Sequence, residues 1–166
     1  ELDLDVRFIR SDVADIPELE CEQFDLVFMG SGAICWFSNL EAVCKEAARV
    51  LVVGGKLIIR DEHPFRKVWR KNVSQFEIVR SYYDKGPRES SPEKSDLLPL
   101  GASRYGFNWT VSDQLKAVLA AGCEVVDVAE WGDHGGEDDD MPERGLPTAL
   151  FILAKCGVLS NGPKKL

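Results

Sequence analysis

Phe24-Asp25-Leu26-Val27-Phe28-Met29-Gly30-Ser31-Gly32 is answered downstream by Glu46-Ala47-Ala48-Arg49-Val50-Leu51, by Gly54-Gly55 and by Lys56-Leu57-Ile58-Ile59-Arg60. The first stretch is a nearly continuous apolar run closed by a glycine-bearing turn, the pattern of a central strand covered on both faces. Ser38 and Glu41 then stand at capping-box spacing, so the serine oxygen can accept from the N3 amide while the glutamate reaches back. Leu40, Val43, Cys44, Ala47, Val50 and Leu51 recur at helical spacing, with Glu41–Lys45 and Glu46–Arg49 paired on the wet side. Gly54-Gly55 is predicted to stop the helix, and Leu57-Ile58-Ile59 to form the next strand. Strand, turn, helix, glycine stop, strand is one parallel crossover unit.

Upstream, residues 6–10 (Val-Arg-Phe-Ile-Arg) read as a short strand ending at Ser11-Asp12, after which Asp15 and Pro17 break the pattern. Downstream, residues 64–109 form a covering segment. Phe65, Val68 and Trp69 share one face of a short helix opposite Arg66, Lys67, Arg70 and Lys71. Residues 76–83 read as a strand, 85–99 as a loop long enough to be a lid, and 104–109 as a partner for the earlier strand. Thr110 and Asp113 are a capping-box variant opening a helix that ends at Gly122. Residues 124–131 read as a strand, 132–145 as an acidic loop and 149–154 as a final buried strand; the tail from Ser160 is polar and frayed. The alternation of strands and helices predicts an α/β sandwich with a mostly parallel sheet.

The 166 residues are 45% hydrophobic and 29% charged, enough apolar material for one domain with its own core. The net charge of -8 repels phosphate backbones at long range and argues against nucleic acid as a partner. The five cysteines, at 21, 35, 44, 123 and 156, include no C-x-x-C pair, and with two histidines they predict no metal site. Free thiols in apolar segments suggest a reducing compartment, hence a cytoplasmic protein. No apolar run reaches membrane-spanning length, and no signal-peptide pattern is present. Glu137-Asp138-Asp139-Asp140 lacks the ordered spacing of a calcium loop and reads as solvated.

The order around Gly30, with Ile34-Cys35-Trp36-Phe37 after the turn and Asp61-Glu62-His63-Pro64-Phe65 after the next strand, resembles a class I S-adenosylmethionine (SAM)-dependent methyltransferase. The likeness runs from about Val6 to Cys156 and corresponds to the C-terminal two-thirds of that domain. It implies a Rossmann-like three-layer sandwich, incomplete at its N-terminus: the glycine-rich G-x-G-x-G loop is missing, and two βα units are worth on the order of 60 residues. By the resemblance, Asp12 and Val13 hold adenine through one acceptor and one donor. Gly30 and Ser31 approach the methionine end, and Trp36 forms an aromatic wall against the sulfonium or adenine. Only Asp3 or Asp5 remains for the ribose hydroxyls.

His63 is the candidate base, because Pro64 pushes it toward extended geometry at a sheet edge; the alternative is a turn histidine bonded to backbone. Tyr82, Tyr83, Phe107 and Trp109 line the substrate cover. The implied function is SAM-dependent methyl transfer to a small molecule, with weak SAM binding by this chain alone and with association of copies through an exposed sheet edge. A non-catalytic α/β binding or scaffold module that has lost the cofactor loop is the alternative. A dinucleotide-binding oxidoreductase is a third reading, since Gly30-Ser31-Gly32-Ala33-Ile34-Cys35 imitates G-x-G-x-x-G, but Cys35 replaces its third glycine and the helix starts too late for a pyrophosphate.

Overall fold

The computed structural model describes residues 5–69, 77–90, 103–132 and 145–157. Two of the sequence-based features, Asp3 and the acidic run at 137–140, lie outside them, as do Arg70, Lys71 and the tail. The chain forms β1 (Phe24–Gly30), α1 (Leu40–Val50), β2 (Leu51–Glu62), β3 (Arg88–Ser90), β4 (Arg104–Gly106), α2 (Val111–Ala120), β5 (Glu124–Trp131) and β6 (Ala149–Lys155). Single 3-10 turns at Ile34–Trp36 and Pro64–Lys67 follow β1 and β2.

The main sheet has the order β1-β2-β6-β5. β1 and β2 are parallel, as the crossover unit predicts, whereas β2–β6 and β6–β5 are antiparallel. The Rossmann-like α/β class stands, with mixed rather than mostly parallel strand directions. The physical reason is connectivity: β5 returns to β6 without an intervening helix among the described residues, and a strand joined that way runs antiparallel.

Alternation along the inner strands decides where the core lies. Leu57, Ile59, Leu150, Ile152 and Ala154 point to one face of the sheet, where α1 and α2 cover them with Val43, Cys44, Ala47, Ala117 and Val118. Both described helices pack on that face, so the described residues build two layers rather than three. Among the described residues β1 is an edge strand, not a central one, and Leu26 and Phe28 are 50% and 56% exposed on the face away from the helices. An apolar run cannot by itself report which of its faces is covered.

Local signals differ in small ways with clear causes. The α1 cap is Asn39, whose side chain accepts from Ala42 N–H at 3.1 Å, rather than Ser38. Gly54-Gly55 does not separate helix from strand. α1 runs directly into β2, and the glycines absorb a register shift inside that strand, with Gly54 at φ 83°. Thr110 and Asp113 form the expected capping box of α2. Residues 6–10 join no strand, and Phe8 is 93% exposed; the chain that follows is tied to α1 instead of running along β1. Among the described residues, 77–83 form no strand but an isolated bridge from Ile78 to Trp69, and Arg104–Gly106 pairs with Arg88–Ser90 rather than with them.

The free-thiol expectation fails for two cysteines. Cys123 and Cys156 form a disulfide directly beside the Glu124–Lys155 pair at the end of the β5–β6 ladder, while Cys21, Cys35 and Cys44 are free. Burial pushes the Cys44 thiol up to about 12, so it is an inert core residue. Among the described residues no helix is long and apolar enough to cross a membrane, and no group of three metal-ligating side chains is brought together.

Ile152 is fully buried at the centre of this core, so Ile152→Ala should cost about 2–5 kcal/mol in urea unfolding. Leu119→Ala, at a 57% exposed site on α2, should change stability by less than about 0.5 kcal/mol. Equal losses would contradict the assigned core.

Candidate functional site

The site is built where the parallel pair β1–β2 ends. Gly30 lies opposite Arg60, so the turn after β1 and the residues after Arg60 leave the same edge of the sheet. A Cβ on Gly30 would stand 2.6 Å from the Arg60 carbonyl oxygen; glycine is needed there for the two strands to approach. The chain then enters the left-handed region at Ser31 (φ 60°) and Gly32 (φ 83°). For serine this conformation costs on the order of 1 kcal/mol or more, and it persists only when neighbours impose it.

The imposing group is Asp61. It continues the inward row of Leu57 and Ile59, and is 8% exposed. Gly32 N–H donates to its Oδ1 at 2.8 Å and Ile34 N–H to its Oδ2 at 2.9 Å; Glu62 N–H also donates to Oδ1, at 2.7 Å. Hydrogen bonds to a charged acceptor contribute about 1.5–3 kcal/mol each, so this set outweighs the strain at Ser31. The turn is thereby fixed to the end of β2. Cys35 Sγ donates to the Gly32 carbonyl at 3.2 Å, tightening it further.

A groove of about 460 Å³ runs from this turn along β1, lined by Val13, Leu19, Leu26, Phe28, Gly30 and Phe37 among others. Its outer wall, the 12–19 segment, is held to α1 by one charged pair. Ile16 N–H donates to Glu46 Oε1 at 2.8 Å, while Arg49, paired to Glu46 at 2.6 Å, donates to the Ile16 and Leu19 carbonyls. Hydrogen bonding to Arg49 holds the Glu46 carboxyl below its ordinary value, against an opposing push from burial. Asp12 makes the turn at the head of this wall, its Oδ1 accepting Ala14 N–H at 2.9 Å. Its Oδ2 accepts no hydrogen bond from the described residues and the side chain is exposed.

Val13 and Gly30 therefore share one groove, with Asp12 beside Val13 and Ser31 beside Gly30. Trp36 does not share it. The 3-10 turn carries its ring to another cavity, lined also by Phe107 and Lys67, where the Arg104 guanidinium lies 6.0 Å from the ring centroid. His63 is 4% exposed. Phe65 N–H donates to its Nδ1 at 3.1 Å, which puts the ring proton on Nε2, 2.6 Å from Glu130 Oε1. Both nitrogens are thus engaged, and the backbone-bonded alternative describes the geometry. Tyr82 accepts Val111 N–H at 3.0 Å, supporting the start of α2, whereas Tyr83 is 78% exposed. Phe107 and Trp109 stack with centroids 6.1 Å apart, and Trp109 Nε1 donates to the Phe37 carbonyl at 2.9 Å. α1 begins at Leu40, ten residues beyond Gly30, so its N-terminus does not open at the turn as a dinucleotide site requires.

Asp61, Glu46 and Glu130 are the groups that sequence reasoning missed. The first had a signal, since alternation from Leu57 through Ile59 puts position 61 on the core side. Glu46 reads as a surface ion pair until the 12–19 segment is folded over it, and Glu130 meets His63 only through the sheet order.

Comparison with known proteins bears on this arrangement. Residues 1–59 match a family model described as a methyltransferase domain. No curated protein sequence matches the chain significantly. Among solved structures, an S-adenosylmethionine-dependent methyltransferase from Mesorhizobium loti superposes with a TM-score of 0.68 at 22% identity, over 93% of this chain and 71% of that one. A Listeria monocytogenes protein assigned to the same class gives 0.64 at 20% identity, over 88% and 67%. The [4+2]-cyclase SpnF gives 0.52 at 15%, over 88% and 54%. The fold is that of these SAM-dependent methyltransferases. The chain spans about two-thirds of the length of the first two of these structures.

Two outcomes follow from the carboxylates. Asp61→Asn replaces an acceptor of three N–H groups by one that also carries a donor, and should lower unfolding free energy by about 1–3 kcal/mol; an unchanged urea midpoint would refute the clamp. Glu46, depressed in the folded state, contributes stability that is complete above its ordinary value near 4.3 and is lost as pH falls through the lower folded value. Glu46→Gln should therefore flatten the acid limb of the stability–pH curve below about pH 4.3. An identical acid limb in the two proteins would count against the pair.

Proposed function

We propose that this chain belongs to a SAM-dependent methyltransferase that acts on a small-molecule acceptor. The observation that carries the reading is the clamped turn. A left-handed, non-glycine residue is held at the end of β1 by a buried carboxylate, and the groove it opens onto has Val13 at the far side. Strain retained at the carboxyl edge of an α/β sheet is the expected mark of a ligand site.

The residues present fit the adenine and sulfonium side of the cofactor. The apolar groove offers a wall for a purine, Asp12 Oδ2 an acceptor for its amino group, and the Val13 backbone the neighbouring donor position. Gly30 and Ser31 would lie along the methionine end. When bound, SAM supplies an electrophilic methyl group together with its own leaving group. The protein's part is then alignment and exclusion of water. Trp36 and Phe107 stand on the acceptor side of the turn rather than against the cofactor groove. His63, with Nε2–H directed at Glu130, holds the end of β2 in place; taking a proton from a substrate would require release of one of its two hydrogen bonds.

A second reading has a specific observation behind it. The likeness to a [4+2]-cyclase means that this fold can carry chemistry other than methyl transfer, and fold alone does not choose between them. Both readings need the adenosyl groove to be a ligand site.

Titration with SAM followed by amide chemical shifts tests the proposal. The shifts should centre on Val13 and the Gly30–Gly32 turn, with affinity weaker than micromolar, and Asp12→Ala should weaken binding by about tenfold, the worth of one hydrogen bond. Shifts confined to the far ends of the strands, or an Asp12 variant with unchanged affinity, would remove the reading.

A further inference from the structure

The cavity beyond the turn has a composition at odds with the rest of the molecule. In a chain of net charge -8, its lining gathers Lys67, Arg80 and Arg88 with a single carboxylate, Glu89, and two aromatic rings, Trp36 and Phe107. Its volume is about 340 Å³, within the range of small-ligand sites. Arg88 is paired to Asp84, and Glu89 accepts the Ser103 hydroxyl. Lys67 and Arg80 carry the remaining positive charge of the lining, with Asp84 also acting on Arg80 and the Arg104 guanidinium over the Trp36 ring. The Arg80 Nε is buried and has no hydrogen-bond partner. A buried donor left in that state costs about 1–3 kcal/mol, and the guanidinium that carries it borders the cavity. Burial, aided by the neighbouring Arg88, also pulls the Arg80 guanidinium down from its ordinary value.

This cavity adjoins the site. It shares Cys35, Lys67 and Phe107 with a narrow cleft that reaches Gly32 and Asp61 at the rim of the sheet. The acceptor side of the turn is thus cationic and aromatic, whereas the groove on the other side is apolar. A polyanion would be repelled by the whole molecule before reaching the pocket; a small anion would be drawn in by the local field.

We propose that the methyl acceptor is a small aromatic-sized molecule bearing an anionic group, carboxylate or phosphate, bound between Lys67 and Arg80 with its ring against Trp36 and Phe107. The inference rests on the functional reading above and adds the class of substrate to it. Phosphate and carboxylate share the chemistry recognised here, bidentate or paired acceptance from a guanidinium and an ammonium.

Direct binding of phenyl phosphate, benzoate and neutral benzyl alcohol, at constant ionic strength and without turnover, tests it. Both anions, or one of them, should bind saturably while benzyl alcohol does not. Tighter binding of phenyl phosphate assigns the group as phosphate, and tighter binding of benzoate as carboxylate. Lys67→Gln and Arg80→Gln should each weaken the anion by about tenfold or more, and Lys116→Gln, on the exposed side of α2, should not. If Arg80→Gln fails to fold, Lys67→Gln, at a half-buried position of the 3-10 turn, carries the test, with an unchanged urea midpoint as the check on its fold. Equal binding of benzyl alcohol, no binding of either anion, or full affinity in a folded Lys67→Gln would overturn the inference. Separate SAM titration keeps the two readings apart. SAM binding without anion binding removes only the acceptor class, and anion binding without SAM binding removes only the methyltransferase reading.

Discussion

A single buried carboxylate organises the functional edge of this molecule. Asp61 occupies the core side of β2, where a charge is expensive unless its lone pairs are satisfied. Here they are, by the N–H groups of Gly32, Ile34 and Glu62. The exchange has a direction. β2 is fixed by its ladder to β1 and β6, so the carboxylate is the stationary partner and the turn is what it shapes. Without it, Ser31 would relax to ordinary backbone geometry, and the turn after Gly30 would lose its tie to the end of β2.

The clamp also separates two environments. On one side the 12–19 segment, held to α1 through Glu46 and Arg49, encloses an apolar groove along the strand edge. On the other the 3-10 turn delivers Trp36 to a cavity rich in guanidinium and ammonium groups. The proposed cofactor, with its flat purine, and the proposed anionic acceptor would ask for opposite surroundings, and the rim offers an apolar groove and a cationic cavity within a few residues of chain. The covalent chemistry would come from the cofactor; the fold contributes placement.

Much of this architecture was legible in the sequence because it is local. The periodicity of Leu40 to Leu51 predicts α1, Thr110 with Asp113 predicts the start of α2, and residues 124–131 and 149–154 read as strands close to the observed bounds. The failures are long-range. Phe24 to Met29 reads as a central strand because apolar residues record a preference for burial, not the number of neighbours the sheet provides. The Cys123–Cys156 disulfide depends on the antiparallel return of β6 past β5, which spacing along the chain does not reveal. Asn39 outcompetes Ser38 because capping is decided by where the helix axis begins. At the candidate site, the glycine turn after β1 was readable as a turn, whereas the placement of Trp36 and the engagement of both His63 nitrogens required the folded turn and the distant Glu130.

Hydrogen exchange of the Gly32 and Ile34 amides tests the central claim most directly. Both lie in irregular backbone beyond the end of β1, outside any sheet ladder, where an amide without a protein partner exchanges at the rate of an open loop. If Asp61 holds them as described, both should exchange far more slowly than the exposed amides of the neighbouring turn residues, at a rate set by opening of the β1–β2 pair. Exchange of either amide at the unprotected rate in the folded protein would contradict the account.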